Sequence, residues 1–368
     1  MRVGLIVEQL LAPVPGGTGR YTREIARGIG AQLREGRRPS SYTAWHRHLE
    51  PAEVPGVAGP YRLALGRRAL ALAWERGVGP TPRDDVDVIH APTLLMPPRR
   101  GRPLVVTIHD AVPWTHPETL TPRGVAFHQR MGARAEREAD VVLTDCHASA
   151  AEIEQVLSLG DRLRVIPLGV SADLAVPWDA AARTARLGLP DTGWFVSVAT
   201  LEPRKGLDIA LAALAHAQAP DLPLIVVGQP GWGGVDLDTA ARSAGLASGR
   251  VRALGRLDDA DMSAVLAGAV AAVVPSRAEG FGLPALEAMS LGIPVVASDA
   301  AALVELTAGA AAHVPVGDVA ALAAALAQVA ADSAERSRMA AAGRRRAADF
   351  SWDRAAAETI RAYADAMR

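Results

Sequence analysis

Val270-Ala271-Ala272-Val273-Val274-Pro275-Ser276-Arg277-Ala278-Glu279-Gly280-Phe281-Gly282-Leu283-Pro284-Ala285-Leu286-Glu287 is the stretch that decides the fold. It opens as a short apolar run ended by a proline, the pattern of a buried strand, and closes with Pro284 where the first turn of a helix belongs. Between the two, Gly280 and Gly282 uncover backbone amides, and the following helix aims its positive end at the loop. Strand, loop and helix together make an anion pocket. Glu279 stands in the loop and Glu287 one turn into the helix, two carboxylates spaced to hold two separate sets of hydroxyls. A lone Glu287 would only complement the helix dipole. The whole nonapeptide is much harder to explain that way.

Outward from this stretch, short apolar runs alternate with amphipathic helical stretches from end to end, which argues for parallel sheets covered by helices. Strands are expected at residues 2–7, 86–90, 104–109, 141–144 and 163–166 in the first half. In the second half they are expected at 194–199, 224–228, 251–255, 270–274 and 295–298. Residues 169–193, with two prolines, read as the linker. The chain of 368 residues is too long for one core and suits two α/β domains. The expected boundaries are 1–172 and 173–351, with a last helix over 352–368 returning to the first domain. In open sheets of this kind ligands sit beyond the carboxyl ends of the strands, so any polar residue just after a strand is a site candidate.

Three further segments meet that test. Gly16-Gly17-Thr18-Gly19 follows the first strand, and a helix is expected from near Thr18; the glycines would let amides approach an anion. It is neither a dinucleotide fingerprint nor a P-loop, and a plain strand-to-helix turn explains it equally well. His109, in Thr107-Ile108-His109-Asp110, is read as ending a strand, where it would donate to a sugar hydroxyl or leaving oxygen and titrate near neutrality. His90 also ends a strand and reads as structural. Thr200-Leu201-Glu202-Pro203-Arg204-Lys205-Gly206 follows the first strand of the second half, and its fork-shaped arginine and compact lysine suit a phosphate. Lys205 is the only lysine among 39 basic residues, which makes its place at a strand end notable.

Taken together, these segments resemble retaining glycosyltransferases of family 4, which have the GT-B fold: two Rossmann-like domains facing across a cleft, with a C-terminal helix crossing back to the N-terminal domain. The two-glutamate signature matches Glu279 and Glu287. Thr107-Ile108-His109-Asp110 with Pro117-Glu118 looks like the histidine segment, Gly16-Gly17-Thr18-Gly19-Arg20-Tyr21 like the glycine loop, and 198–206 like the phosphate-binding turn. Phe350-Ser351-Trp352 looks like the start of the terminal helix. One departure stands out, since many members carry Gly-Arg where this chain has Ala199-Thr200; Arg204 would take over that contact. The resemblance implies an N-terminal acceptor domain and a C-terminal donor domain. It implies that Gly16 and Gly17 approach the donor phosphates and that Arg204 and Lys205 neutralise the diphosphate. Glu279, with the Gly280-Phe281-Gly282-Leu283 backbone, would bind the transferred sugar, Glu287 the ribose, and His109 the sugar from the other domain. No enzymic nucleophile is assigned. The expected reaction moves a hexose from a nucleotide-diphosphate sugar to a glycan, glycolipid or small-molecule acceptor, without a metal or other cofactor. The Thr-Leu-Glu-Pro-Arg-Lys form leans toward mannosyltransferases using GDP-mannose.

Other readings fare less well. A nicotinamide dehydrogenase would need a fingerprint that is absent, and a silent binding subunit would lack some element of the site. A nucleotide-sugar 2-epimerase of the same fold is the harder rival, as is the same transferase using UDP-glucose or another nucleotide sugar. Asp85-Val86-Asp87 precedes its strand and Asp236-Leu237-Asp238 opens a helix, so neither suits a metal. Cys146 is the single cysteine, which excludes an intramolecular disulfide, and no apolar run reaches the length of a membrane span. A cytoplasmic location follows, at the inner face of the membrane if residues 62–76 form an interfacial helix. There Leu63, Leu70 and Trp74 accompany Arg62, Arg67, Arg68 and Arg76. The excess of 22 basic over 18 acidic residues within 1–170 suggests an anionic partner there, although so modest an excess is more often an ordinary solvated surface; no nucleic-acid partner is expected.

Overall fold

Valine-, isoleucine- and leucine-rich runs form the strands of two parallel sheets, buried on both faces by helices as the alternating sequence pattern requires. The structure, a computed structural model, describes residues 1–33, 38–47, 52–83 and 85–368. It divides into two compact units, one of Met1–Gly169 with Ser351–Arg368 and the other of Val170–Phe350.

In the first unit the strands are β1 (Val3–Ile6), β2 (Ser40–Trp45), β3 (Ala58–Gly66), β4 (Val88–Ala91), β5 (Leu104–Thr107), β6 (Val141–Thr144) and β7 (Leu163–Val165). Their order is β3-β2-β1-β4-β5-β6-β7. The chain thus leaves β1 in one direction, then returns to build outward from β4 in the other. β2 and β3 were not expected, because Ser40–Trp45 is a mixed run and Ala58–Gly66 alternates only weakly. The sheet pairing of β3 also overturns the interfacial helix expected over 62–76. Arg62 to Gly66 are strand, and only Arg67–Glu75 is helical. Leu63, Leu70 and Trp74 are buried in the core, where the Trp74 indole donates to the Pro80 carbonyl. Apolar residues spent on the core cannot insert into a bilayer, so the membrane contact loses its basis. Among the described residues no helix is long and apolar enough to cross a membrane.

The last helix, Trp352–Ala366, belongs to this first unit. Ser351 caps it by accepting from the Arg354 amide. Two glycines make room for it. A Cβ on Gly28 would lie 2.8 Å from that of Ala356, and one on Gly169 would collide with the Trp352 backbone.

In the second unit the strands are β8 (Phe195–Val198), β9 (Leu224–Val227), β10 (Val251–Gly255), β11 (Ala271–Val274), β12 (Val295–Ser298) and the unexpected short β13 (Ala312–Val314). The order β10-β9-β8-β11-β12-β13 again reverses, here between β8 and β11. The expected linker 169–193 is partly structured: Ala180–Arg186 is a helix whose Arg183 pairs with Asp179 and, at 2.7 Å, with Asp261. Two prolines and scattered glycines masked this helix in the sequence. Asp236 caps the helix Leu237–Ser243, which spends the Asp-x-Asp run on helix geometry.

Candidate functional site

The second unit's switch point lies between β8 and β11, and the two segments singled out in its sequence leave the sheet at those two strands. After β8 the chain makes a tight turn at Pro203–Lys205 and reaches Gly206, whose φ of +63° favours glycine. A Cβ there would collide with the Pro275 carbonyl beyond β11, so the two segments touch at backbone level. The Arg277 amide donating to the Arg204 carbonyl at 2.8 Å ties them together.

This close approach brings Glu202, Arg204, Lys205, Ser276 and Glu279 into one cluster. Lys205 Nζ donates to Glu279 Oε1 at 2.6 Å, and the Ser276 hydroxyl donates to the same oxygen at 2.7 Å. Arg204 spreads its fork over three acceptors: the Ala278 carbonyl at 2.9 Å, Glu279 Oε2 at 3.3 Å and Glu202 Oε1 at 2.9 Å. Burial by itself would push the Glu279 carboxyl up, but Lys205 and Arg204 outweigh it and hold the group down at about 2. Glu202 goes the other way: burial, with the Glu279 charge adding to it, lifts its carboxyl above the usual range despite Arg204 and Lys205.

Beyond Glu279, Gly282 adopts φ +99° at the head of the helix Leu283–Leu291, with Pro284 in the first turn. Phe281 and Leu283 point into the core, Phe281 edge-on to Phe350 at 5.7 Å, so only their backbone faces the loop. Glu287 is buried within the same helix. Sequence reasoning placed Arg204, Lys205 and Glu279 as separate ligand contacts; the structure joins them to one another. The sequence reading missed the parts played by Ser276 and Glu202, although both lie inside the quoted stretches.

In the first unit the helix starts at Gly16, not near Thr18, so Gly16 and Gly17 form its first turn, where amides have no intrahelical acceptor. His109 lies two residues past the end of β5 instead of at it. Both ring nitrogens are engaged, Nδ1 with Asp145 Oδ2 at 2.7 Å and Nε2 with the Pro92 carbonyl at 3.0 Å. Burial would lower the His109 ring, but the Asp145 charge and hydrogen bond, with Pro92 and Asp110, raise it overall. Tyr21 packs against it edge-on at 4.7 Å. Asp145 directly follows β6, and the rule that polar residues after strands are candidates would have found it.

His90 is structural, as read. Its Nδ1 meets the Tyr363 hydroxyl at 2.7 Å and its Nε2 the Thr107 hydroxyl at 2.9 Å, which in turn meets Tyr21. Among the described residues no three His, Cys, Asp or Glu side chains group as a metal site.

Two parallel α/β units, each reversing its strand order, match the GT-B fold of solved glycosyltransferase structures. The chain belongs to the glycosyltransferases of family 4 and group 1: the model "Glycosyltransferase Family 4" matches residues 15–174 and "Glycosyl transferases group 1" matches 185–346. It is 33% identical over 243 residues to the O-antigen chain mannosyltransferase B of Escherichia coli, covering 64% of this chain and 61% of that protein. It is 32% identical over 257 residues to an MMP alpha-(1->4)-mannosyltransferase of Mycolicibacterium hassiacum, covering 64% of this chain and 57% of the relative. The matches thus span about six-tenths of these relatives' length. In fold it is similar to the sucrose-phosphate synthase of Thermosynechococcus elongatus, with a TM-score of 0.79 at 22% identity over 99% of this chain and 98% of that one.

Proposed function

We propose that the protein is a retaining hexosyltransferase that takes its sugar from a nucleotide-diphosphate donor, with GDP-mannose the favoured donor and a hydroxyl of a glycan, glycolipid or small molecule the acceptor. The observation that carries this reading is the Arg204–Lys205 turn clasped on Glu279 at the switch point of the second unit. Departure of the diphosphate is the costly step, and fixed cations stabilise the charge that develops there. Lys205 and Arg204 supply that charge, which is why no metal is required in this reading. Glu279 then accepts from hydroxyls of the transferred sugar, Glu287 from the ribose, and the 280–283 backbone lines the sugar. Gly16 and Gly17 offer first-turn amides to phosphate. His109 offers a ring N–H to a hydroxyl by exchanging its bond to the Pro92 carbonyl, while Asp145 keeps the other nitrogen. The first unit is assigned the acceptor and the second the donor. The likeness to two mannosyltransferases supports mannose.

The test is thermal unfolding of the full chain with GDP-mannose, UDP-glucose and other nucleotide sugars. The cognate donor at 100 times its dissociation constant adds about 2.7 kcal/mol. Stabilisation by UDP-glucose alone would replace the donor, and a new epimer formed without acceptor would replace the reaction. Turnover lost in EDTA and restored by magnesium or manganese would remove the metal-free mechanism.

A further inference from the structure

Four charged side chains alternate in sign after β8 and β11: Glu202, Arg204, Glu279 and Lys205, joined by contacts of 2.9, 3.3 and 2.6 Å. Both carboxylates are deeply buried, with 3% of the Glu202 side chain and 6% of that of Glu279 exposed. Two cations and two anions leave the cluster electrically closed before anything binds. The neighbouring Arg277 is paired as well: it is bidentate to Asp208 at 2.8 and 2.6 Å and also donates to the Pro203 carbonyl.

A nucleotide-diphosphate sugar brings two phosphates, each with one oxygen that is already ionised. When that dianion draws on Lys205 and Arg204, it weakens the pairs that made the glutamates tolerable as ions. A buried charge left without full compensation takes a proton instead. We propose that the donor enters this cluster together with one proton from solvent, and that Glu202 carries it. The inference rests on the reading of the second unit as the donor site.

Glu202 is the member placed to accept the proton. Glu279 keeps the Ser276 hydroxyl as a donor whatever the cations do, whereas Glu202 depends on Arg204 for its side-chain hydrogen bond. Burial has already moved the Glu202 carboxyl upward, and the groups facing it (Arg204 and Lys205 on its own turn, Glu279 from beyond β11) are the ones the donor perturbs. The step balances as carboxylate plus solvent proton giving a carboxylic acid, with no bond of the donor broken. Glu202 is therefore a positioning residue: it aims Arg204 as a carboxylate and becomes neutral when the donor binds.

The measurement is calorimetric titration of the full chain with GDP-mannose and with UDP-glucose, without acceptor, in buffers of equal pH and different ionisation enthalpy. Expected is an uptake approaching one proton per bound donor near pH 7. Affinity should then fall by up to about tenfold per pH unit above neutrality, as proton linkage demands. Glu202→Gln, neutral at every pH, should bind with that uptake gone and a flat pH dependence, while Glu202→Asp should retain it. Wild-type binding without proton uptake overturns the proposal, and undiminished uptake in Glu202→Gln overturns the assignment to Glu202. Should Glu202→Gln not fold, Glu202→Asp decides through its pH profile: a fall in affinity displaced from that of the wild type supports Glu202, and an unmoved one overturns the assignment. Failure of the wild type to bind either nucleotide sugar overturns instead the donor-site reading on which the proposal stands.

Discussion

Glu279 and Glu287 share one loop-helix segment, yet their surroundings differ, and so should the effects of changing them. Glu279 is held by Lys205, Arg204 and Ser276. In the proposed reaction its contacts strengthen as the anomeric carbon gains positive charge. Glu279→Gln should therefore lower kcat by roughly 10²-fold or more, the scale on which one preorganised electrostatic contact acts. Glu287→Gln should act through donor KM, by about 1–3 kcal/mol for a lost charge-assisted hydrogen bond. Steady-state kinetics with donor varied separates the two, and an unchanged kcat in Glu279→Gln would take this residue out of the active site. His109 calls for a pH experiment. Its two neighbours, a carboxylate and a carbonyl, are both acceptors, so the ring satisfies both only when both nitrogens carry hydrogen. Its raised folded-state value means that it stabilises the fold fully below the unfolded value near 6.5, and that this contribution is lost as pH rises through the folded value. Asp145→Asn keeps the shape and removes the charge. It should lower the ring titration read by NMR by at least about one pH unit and erase the alkaline loss of stability. A ring that titrates as before would show that Asp145 does not set its charge.

At the scale of elements, what was legible and what was not follow from the same physics. Buried parallel strands read as continuous apolar runs, so the core strands β1, β4 to β6, β8, β9, β11 and β12 were visible, each to within a few residues. β2 and β3 lie at one side of their sheet and carry serine, tyrosine, threonine and arginine among their apolar residues, so neither periodicity stood out. The same blindness turned the end of β3 into part of a helix. Motif positions after strands were legible because open α/β sheets put sites there. What those residues bond to was not, since Asp145, Glu202 and Ser276 join partners distant in sequence or masked by the motif itself. Gly206 shows how an element boundary builds the site. It shares φ +63° with Gly234, but a Cβ on Gly206 meets the Pro275 carbonyl while one on Gly234 meets open space. Gly234→Ala should cost only the backbone strain, about 1–2 kcal/mol. Gly206→Ala should cost clearly more by chemical denaturation and weaken donor binding, because it parts the Lys205 turn from the Glu279 loop. Equal costs would mean that the loop yields freely at this contact.

At the scale of the whole molecule, the chain ends by rebuilding the unit in which it began. The helix Trp352–Ala366 packs on the helix Gly16–Gln32, with the Gln32 side chain donating to the Asp353 carbonyl at 2.6 Å, and it sends Tyr363 into the core to meet His90. Burial, with the His109 charge adding to it, holds the His90 ring down at about 3, so it is neutral, with one donor and one acceptor nitrogen. One nitrogen serves Thr107 and the other Tyr363, so the ring is satisfied only while the last helix is seated. Tyr363→Phe keeps the ring stacked in the core but leaves a buried imidazole nitrogen without its partner, which should cost about 1–3 kcal/mol. Because His90 sits on β4 and Thr107 ends β5, the loss belongs to the first unit's sheet. Native-state hydrogen exchange should show reduced protection in β4, β5 and the helices Gly16–Gln32 and Trp352–Ala366, with β8 to β13 protected as before. Protection lost equally in both sheets would mean that the two units open as one cooperative body. Unaltered protection everywhere would mean that the Tyr363 hydroxyl contributes nothing to seating the helix.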